Sequence, residues 1–174
     1  MYARKVLTVL EITVVGLALF MMAASITSLI TSTNTSAFAQ GDQKFTAKLT
    51  GKEEVPSKDT KASGTAEFNL SSDGKKMTYM VNVKDIDKVT QAHIHSGKAG
   101  ENGPVVVWLF NATTPTGPMS GMLSQGNFTS SELVGPLKDK QISDLVKLIN
   151  DGQAYVNVHT EANPMGEIRG QLSK

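Results

Sequence analysis

Between Phe45 and Leu172 the apolar positions recur mostly at every second residue, in short runs broken by Gly, Pro, Asn, Asp and Ser. A period of two sends alternate side chains to opposite faces of a strand, so this pattern predicts half-buried sheet. Phe45 to Leu49 is the first such run; it ends at Gly51 and is followed by a polar loop containing Glu53, Glu54 and Pro56. Thr65 to Leu70 and Met77 to Val83 come next, joined by a turn containing Asp73-Gly74, a strong hairpin signal between alternating segments. Thr90 to His95 and Val105 to Phe110 flank a Gly-rich loop. The second of these is apolar at every position, which predicts a place in the middle of a sandwich rather than at an edge. Met122 to Thr129, Ala154 to Thr160 and Glu167 to Leu172 supply the remaining strands.

One segment departs from this period. Ile142, Leu145, Val146 and Ile149 recur at helical spacing and Gly152 follows, which predicts a short helix over Ile142 to Asn150. About seven short strands with one helix predict an all-β fold, a β-sandwich with Greek-key connections.

Ahead of this domain, Arg4 and Lys5 precede a mostly apolar stretch from Val6 to Ile30, and Ala37-Phe38-Ala39 has the small-x-small form of a signal-peptidase site. Residues 1–39 are therefore expected to be a signal peptide. Ile12 to Ile30 also approaches the ~20 residues that span a bilayer, so an uncleaved helical membrane anchor is the alternative. In both cases the basic flank stays inside. Residues 40–174 are then one extracytoplasmic domain, secreted or tethered, with membrane contact only through the N-terminal segment.

Composition narrows the function classes. The 17 basic and 16 acidic residues leave a net charge of +1, which lacks the basic footprint of a nucleic-acid binder. Cysteine is absent, excluding disulfides, thiolate ligands, cysteine nucleophiles and lipid-modified cysteine anchors. Aromatic residues make up only 6%, so the core rests on Val, Leu and Ile. No Ser/His/Asp arrangement has a supporting motif such as G-x-S-x-G, and no catalytic residue is assigned.

The candidate chemistry lies in the histidines. His93 and His95 sit at i and i+2, on one face of a strand and about 6 to 7 Å apart, and His159 lies on a later predicted strand. If those strands are neighbours, three neutral imidazoles converge on a site suited to one copper or zinc ion. The alternative is three polar groups hydrogen-bonded near loop ends. Glu167 and Arg169 likewise share a strand face, where Arg169 either draws an anion toward such a site or pairs with Glu167 in a solvated salt bridge. The loop Ser96 to Pro104 offers backbone N–H groups for an anion nest, although a tight strand connection explains it equally. Glu53-Glu54 reads as a solvated carboxylate pair. Asn69, Asn111 and Asn127 open glycosylation sequons, relevant only in a host that glycosylates exported proteins.

The blocks "LTGKEEVPS", "AHIHSGKAGENGPVVVWLF" and "LINDGQAYVNVHTEANPMGEIRGQL", in this order, closely resemble the CHRD domain, named after chordin. The resemblance implies an exported or extracellular module that meets an extracellular protein or an envelope partner, without a settled biochemical activity. In chordin such domains belong to an antagonist of secreted growth factors. A looser layout, H-x-H followed by a later histidine and a Gly-flanked arginine, is similar to the copper half of Cu,Zn superoxide dismutase. It implies His93, His95 and His159 as copper ligands, Arg169 as an anion guide, and redox or superoxide chemistry. This chain has no histidine to bridge to zinc, no zinc cluster and no long loop between His159 and Arg169.

Overall fold

The computed structural model describes residues 43–174; the signal or anchor segment expected over residues 1–39 lies outside the described residues. Among the described residues no helix is long and apolar enough to cross a membrane.

The alternating runs form eight strands: β1 (Lys44–Thr50), β2 (Ser63–Leu70), β3 (Met77–Ile86), β4 (Val89–Ser96), β5 (Val105–Asn111), β6 (Met119–Phe128), β7 (Ala154–Thr160) and β8 (Ile168–Gln171). All pairings are antiparallel, and the strand order is β5-β4-β7-β8-β1-β2-β3-β6. The sheet consists of two four-stranded halves, β1-β2-β3-β6 and β5-β4-β7-β8. They are joined where β1 meets β8 at Thr50 and Arg169, with a further bridge between Thr46 and Ser173. At the opposite ends, β5 and β6 approach each other, and the Tyr79 hydroxyl on β3, the neighbour of β6, donates to the Leu109 carbonyl on β5 at 2.8 Å, so the sheet nearly closes on itself. The sandwich predicted from the periodicity is thus one curled antiparallel sheet.

Connectivity makes the two halves face each other. β2 and β3 form the hairpin expected at Asp73-Gly74, where Gly74 takes φ 69°, a backbone region in which glycine has no steric penalty. By contrast, β3 and β4 are consecutive but unpaired: β3 lies between β2 and β6, and β4 between β5 and β7. Strands that follow each other so closely must cross from one layer to the other, and Asp85 and Lys88 take positive φ at this corner. Between the layers lies the core, with Phe45, Leu49, Phe68, Met77 and Val81 from the first half and Ala92, Ile94, Val156, Val158 and Ile168 from the second. Burying each larger apolar side chain contributes roughly 1.5–3 kcal/mol.

The helix, α1 (Ile142–Asn150), buries Ile142, Leu145 and Ile149 along the predicted stripe. Asp144 caps its first turn by accepting from the Gln141 N–H at 2.9 Å, and Gly152 with φ 67° turns the chain into β7.

One expectation is corrected. β5 does not lie in the middle of the sheet but at one end of the strand order. Its apolar run is explained by cover from outside the sheet: the Val134 N–H donates to the Val106 carbonyl at 2.9 Å, and Leu133 and Leu137 are buried in the same core. The segment after β6 thereby covers part of the edge strand, where Val106, Val107 and Leu109 are buried while Trp108 stays 47% exposed.

Candidate metal centre

β7 is buried at every position from Ala154 to Thr160. Alternation puts Ala154, Val156 and Val158 into the core, so Tyr155, Asn157 and His159 point to the outer face of the second half. In an open sheet that face would meet water; here the loops after β1 and after β4 lie over it. Opposite His93 on β4 stands Asn157, and opposite His95 stands Tyr155; beyond β7, Arg169 on β8 stands opposite Asn157. The result is a buried polar layer on the outside of an apolar core.

The three histidines meet in this layer. One ring nitrogen from each of His93, His95 and His159 lies within 4.8 Å of the others. His93 and His159 are 3% and 7% exposed. The hydrogen bonds fix their proton positions. His95 Nδ1–H donates to the Gly103 carbonyl at 2.9 Å, and His159 Nδ1–H to the Pro164 carbonyl at 3.0 Å. Each neutral ring therefore has its lone pair on Nε2. His93 Nδ1 lies 3.1 Å from His159 Nε2 and donates to it, which leaves His93 Nε2 as an acceptor. His93 Nε2 and His95 Nε2 are buried without a partner.

Burial and mutual repulsion keep the rings neutral. Desolvation, followed by the neighbouring His159 and His95, pushes His93 down to about 3. Burial also lowers His95 and His159 below the ordinary imidazole value. A tetrahedral ion about 2.0–2.1 Å from each nitrogen needs them about 3.3 Å apart. The 3.1 Å between His93 Nδ1 and His159 Nε2 is close to this spacing, but in the metal-free chain a hydrogen bond spans it, so an ion between these two nitrogens would replace that bond. The indole of Trp108 stands edge-on to His93 at 4.3 Å, forming one wall.

Arg169 and Glu167 occupy different roles from those expected. Arg169 is 1% exposed and donates to the Lys98 and Glu101 carbonyls, both at 2.8 Å, and to Asn102 Oδ1 at 3.2 Å. It lies inside the layer rather than at an opening through which an anion would arrive. It does not pair with Glu167, whose carboxylate accepts from Thr60, Thr160 and Asn163. The expected salt bridge between them is absent among the described residues because each has its own partners. Ser96 to Pro104 does not form an anion nest either: it turns carbonyls, not N–H groups, toward Arg169 and His95.

A family model described as CHRD domain matches residues 45–172. The chain belongs to the CHRD family. No curated protein and no solved structure matches it. The three sequence blocks that resemble CHRD domains all reach the polar layer. Glu54 comes from the first, His93 to Gly103 from the second, and Tyr155 to Arg169 from the third.

Glu54 is the residue of this CHRD site that sequence reasoning misplaced. Instead of being solvated beside Glu53, it is 5% exposed and accepts from Asn157 Nδ2 at 3.1 and 3.2 Å. Desolvation pushes its carboxyl up to about 7, against the lowering by Asn157 and the Arg169 charge. Gly166 packs over the pair, since a Cβ there would lie 2.6 Å from Asn157 and Glu54 atoms. The sequence signal was small: a polar residue beside Val55-Pro56, in a loop whose folding back onto β7 no local pattern encodes.

Proposed function

We propose that this CHRD domain works outside the cytoplasm as a binding module whose ligand is one copper or zinc ion, held by His93, His95 and His159. The observation that carries the reading is the convergence of three imidazoles, one ring nitrogen of each within 4.8 Å of the others, with His95 Nε2 buried among them without a partner. An unsatisfied buried polar group costs about 1–3 kcal/mol, and coordination would relieve it. Neutral imidazole suits copper and zinc, and three nitrogens leave one position open for a further ligand. Their low proton affinity in the folded chain also means that little proton release opposes an ion near neutral pH.

Elemental analysis of the protein produced in metal-replete medium, beside His95→Ala, tests this reading. Near one copper or zinc per chain in the wild type, and little in the variant, is the expected result; equal and negligible metal in both overturns it. Export is tested by sequencing the N-terminus of the mature protein. A start at Gln40 supports cleavage after Ala39, an intact N-terminus in the membrane fraction supports the anchor, and recovery in the cytoplasm defeats both.

A second reading adds an extracellular protein or envelope partner, because Trp108 and Met165 expose 47% and 79% of their surface next to the histidine layer. Met165→Ala is expected to release the protein from an envelope fraction while leaving its metal content intact. Unchanged retention would remove this reading.

A further inference from the structure

The Gly97–Pro104 loop is held from three sides. One guanidinium nitrogen of Arg169 donates to the Lys98 and Glu101 carbonyls, the other to Asn102 Oδ1. The Gly103 N–H donates to the Tyr155 hydroxyl at 3.1 Å, and the Gly103 carbonyl accepts from His95 Nδ1 at 2.9 Å. The room is tight: a Cβ at Gly103 would stand 1.6 Å from the Ser96 carbonyl oxygen. The same groups also connect through their rings. The Arg169 guanidinium lies 3.4 Å over the Tyr155 ring, and that ring stacks on His95 at 5.0 Å with 10° between the planes.

From this we infer that Arg169 is the positioning residue for His95. By clamping the loop that presents the Gly103 carbonyl, it keeps the His95 proton on Nδ1 and the lone pair on Nε2. An unrestrained neutral imidazole samples both tautomers, and which nitrogen is free is set by the bond the other one makes. The planar fork of arginine suits this task, because one side chain holds two carbonyls and an amide oxygen in fixed directions; an ammonium on a flexible stem does not. The strand carrying Arg169 is itself fixed, since a Cβ at the adjacent Gly170 would lie 2.1 Å from the Lys48 carbonyl oxygen of β1.

The consequence for metal affinity rests on the proposed three-histidine centre; the tautomer itself is a property of the metal-free chain. The test therefore reads both. In the 15N-labelled full chain, stripped of metal, imidazole nitrogen shifts should show His95 as the pure Nδ1–H tautomer. Arg169→Gln and Arg169→Lys should both mix the tautomers and weaken Cu(II) binding by roughly 10–100-fold, the usual effect of losing a group that orients a ligand. Tyr155→Phe keeps the ring but loses the hydroxyl that holds Gly103, and should move both readouts the same way by a few-fold. If Arg169→Lys restores the wild-type tautomer and affinity, Arg169 acts by charge and the clamp is overturned; a pure Nδ1–H tautomer in Arg169→Gln overturns it as well. Should both Arg169 variants fail to fold, Tyr155→Phe decides, and an unchanged tautomer in it counts against the clamp. If wild-type protein binds no Cu(II), the metal centre falls, while the tautomer still decides the part played by Arg169.

Discussion

The two outer faces of the curled sheet are built alike and end in opposite environments. On the first half, Lys44, Asn69, Thr78 and Asn127 form one cross-strand row, all exposed, and the alternation of apolar and polar residues is that of a sheet wetted on one side. On the second half, His93, Asn157 and Arg169 form the corresponding row, and all three are buried. The strand pattern is the same; the difference lies in the loops. A polar face left open is satisfied by water, whereas a covered one must satisfy itself, and the groups it leaves unsatisfied are where a ligand gains most.

The largest expected contrast is in metal binding. His159→Ala should weaken it by more than the roughly 10–100-fold typical of outer-layer changes, while Asn127→Ala on the open face should leave it unchanged; isothermal titration with Cu(II) measures both. Equal losses would mean that the ion does not sit among the histidines.

Next comes a pair of glycines. Gly103→Ala, whose Cβ would collide with the Ser96 carbonyl oxygen, should cost about 3 kcal/mol or more by urea unfolding. Gly74→Ala has open space around its Cβ and pays only for its positive φ, about 1 kcal/mol. Comparable costs would show that the covering loop is no tighter than a free hairpin turn.

The faces also differ in how they answer pH. Glu54 has its carboxyl raised from 4.5 to about 7, so between these values the folded chain holds a proton that the unfolded chain has released. Stability then falls as pH rises through that window. Glu54→Gln escapes the cost and should be the more stable protein at pH 8, by at most about 3 kcal/mol, with the gap closing toward pH 4.5. In the metal-free protein the histidines act the other way. Their folded values lie below 6.5, the folded chain binds fewer protons, and stability falls as pH drops below about 6.5. Glu54→Gln should display this acid limb without the opposing one, and a flat profile in it would contradict the burial of the three rings. The smallest effect belongs to the open face, where Lys44 pairs with Glu67 at 2.6 Å in water; Glu67→Gln should change stability by under ~1 kcal/mol at any pH.

Much of the fold could be read from local pattern because local pattern caused it. The spacing of Ile142, Leu145 and Ile149 gave the helix its bounds, Asp73-Gly74 its hairpin, and the alternation in Ala154 to Thr160 its strand. The histidines were legible as a possible set because His93 and His95 share a face by period alone. β5 was misplaced because an apolar run records burial and not what supplies it, and the cover came from Leu133 and Leu137. Glu54 was misread as solvated because burial of a loop residue depends on where the loop folds, and Arg169 was given an anion to guide because its actual partners are the carbonyls of a distant loop.

By itself, then, the sequence determined which residues form strands, which side of each strand is apolar, and that three imidazoles were available in a chain without cysteine. Those properties follow from short-range periodicity and residue chemistry. Only the tertiary structure decided that β4 and β7 are neighbours, that two loops cover their outer face, and that Arg169 faces inward to hold one of those loops. The reason is physical: strand order and loop cover are set by contacts between residues far apart in the chain, whose energies depend on the whole packed sheet and leave no local period to read.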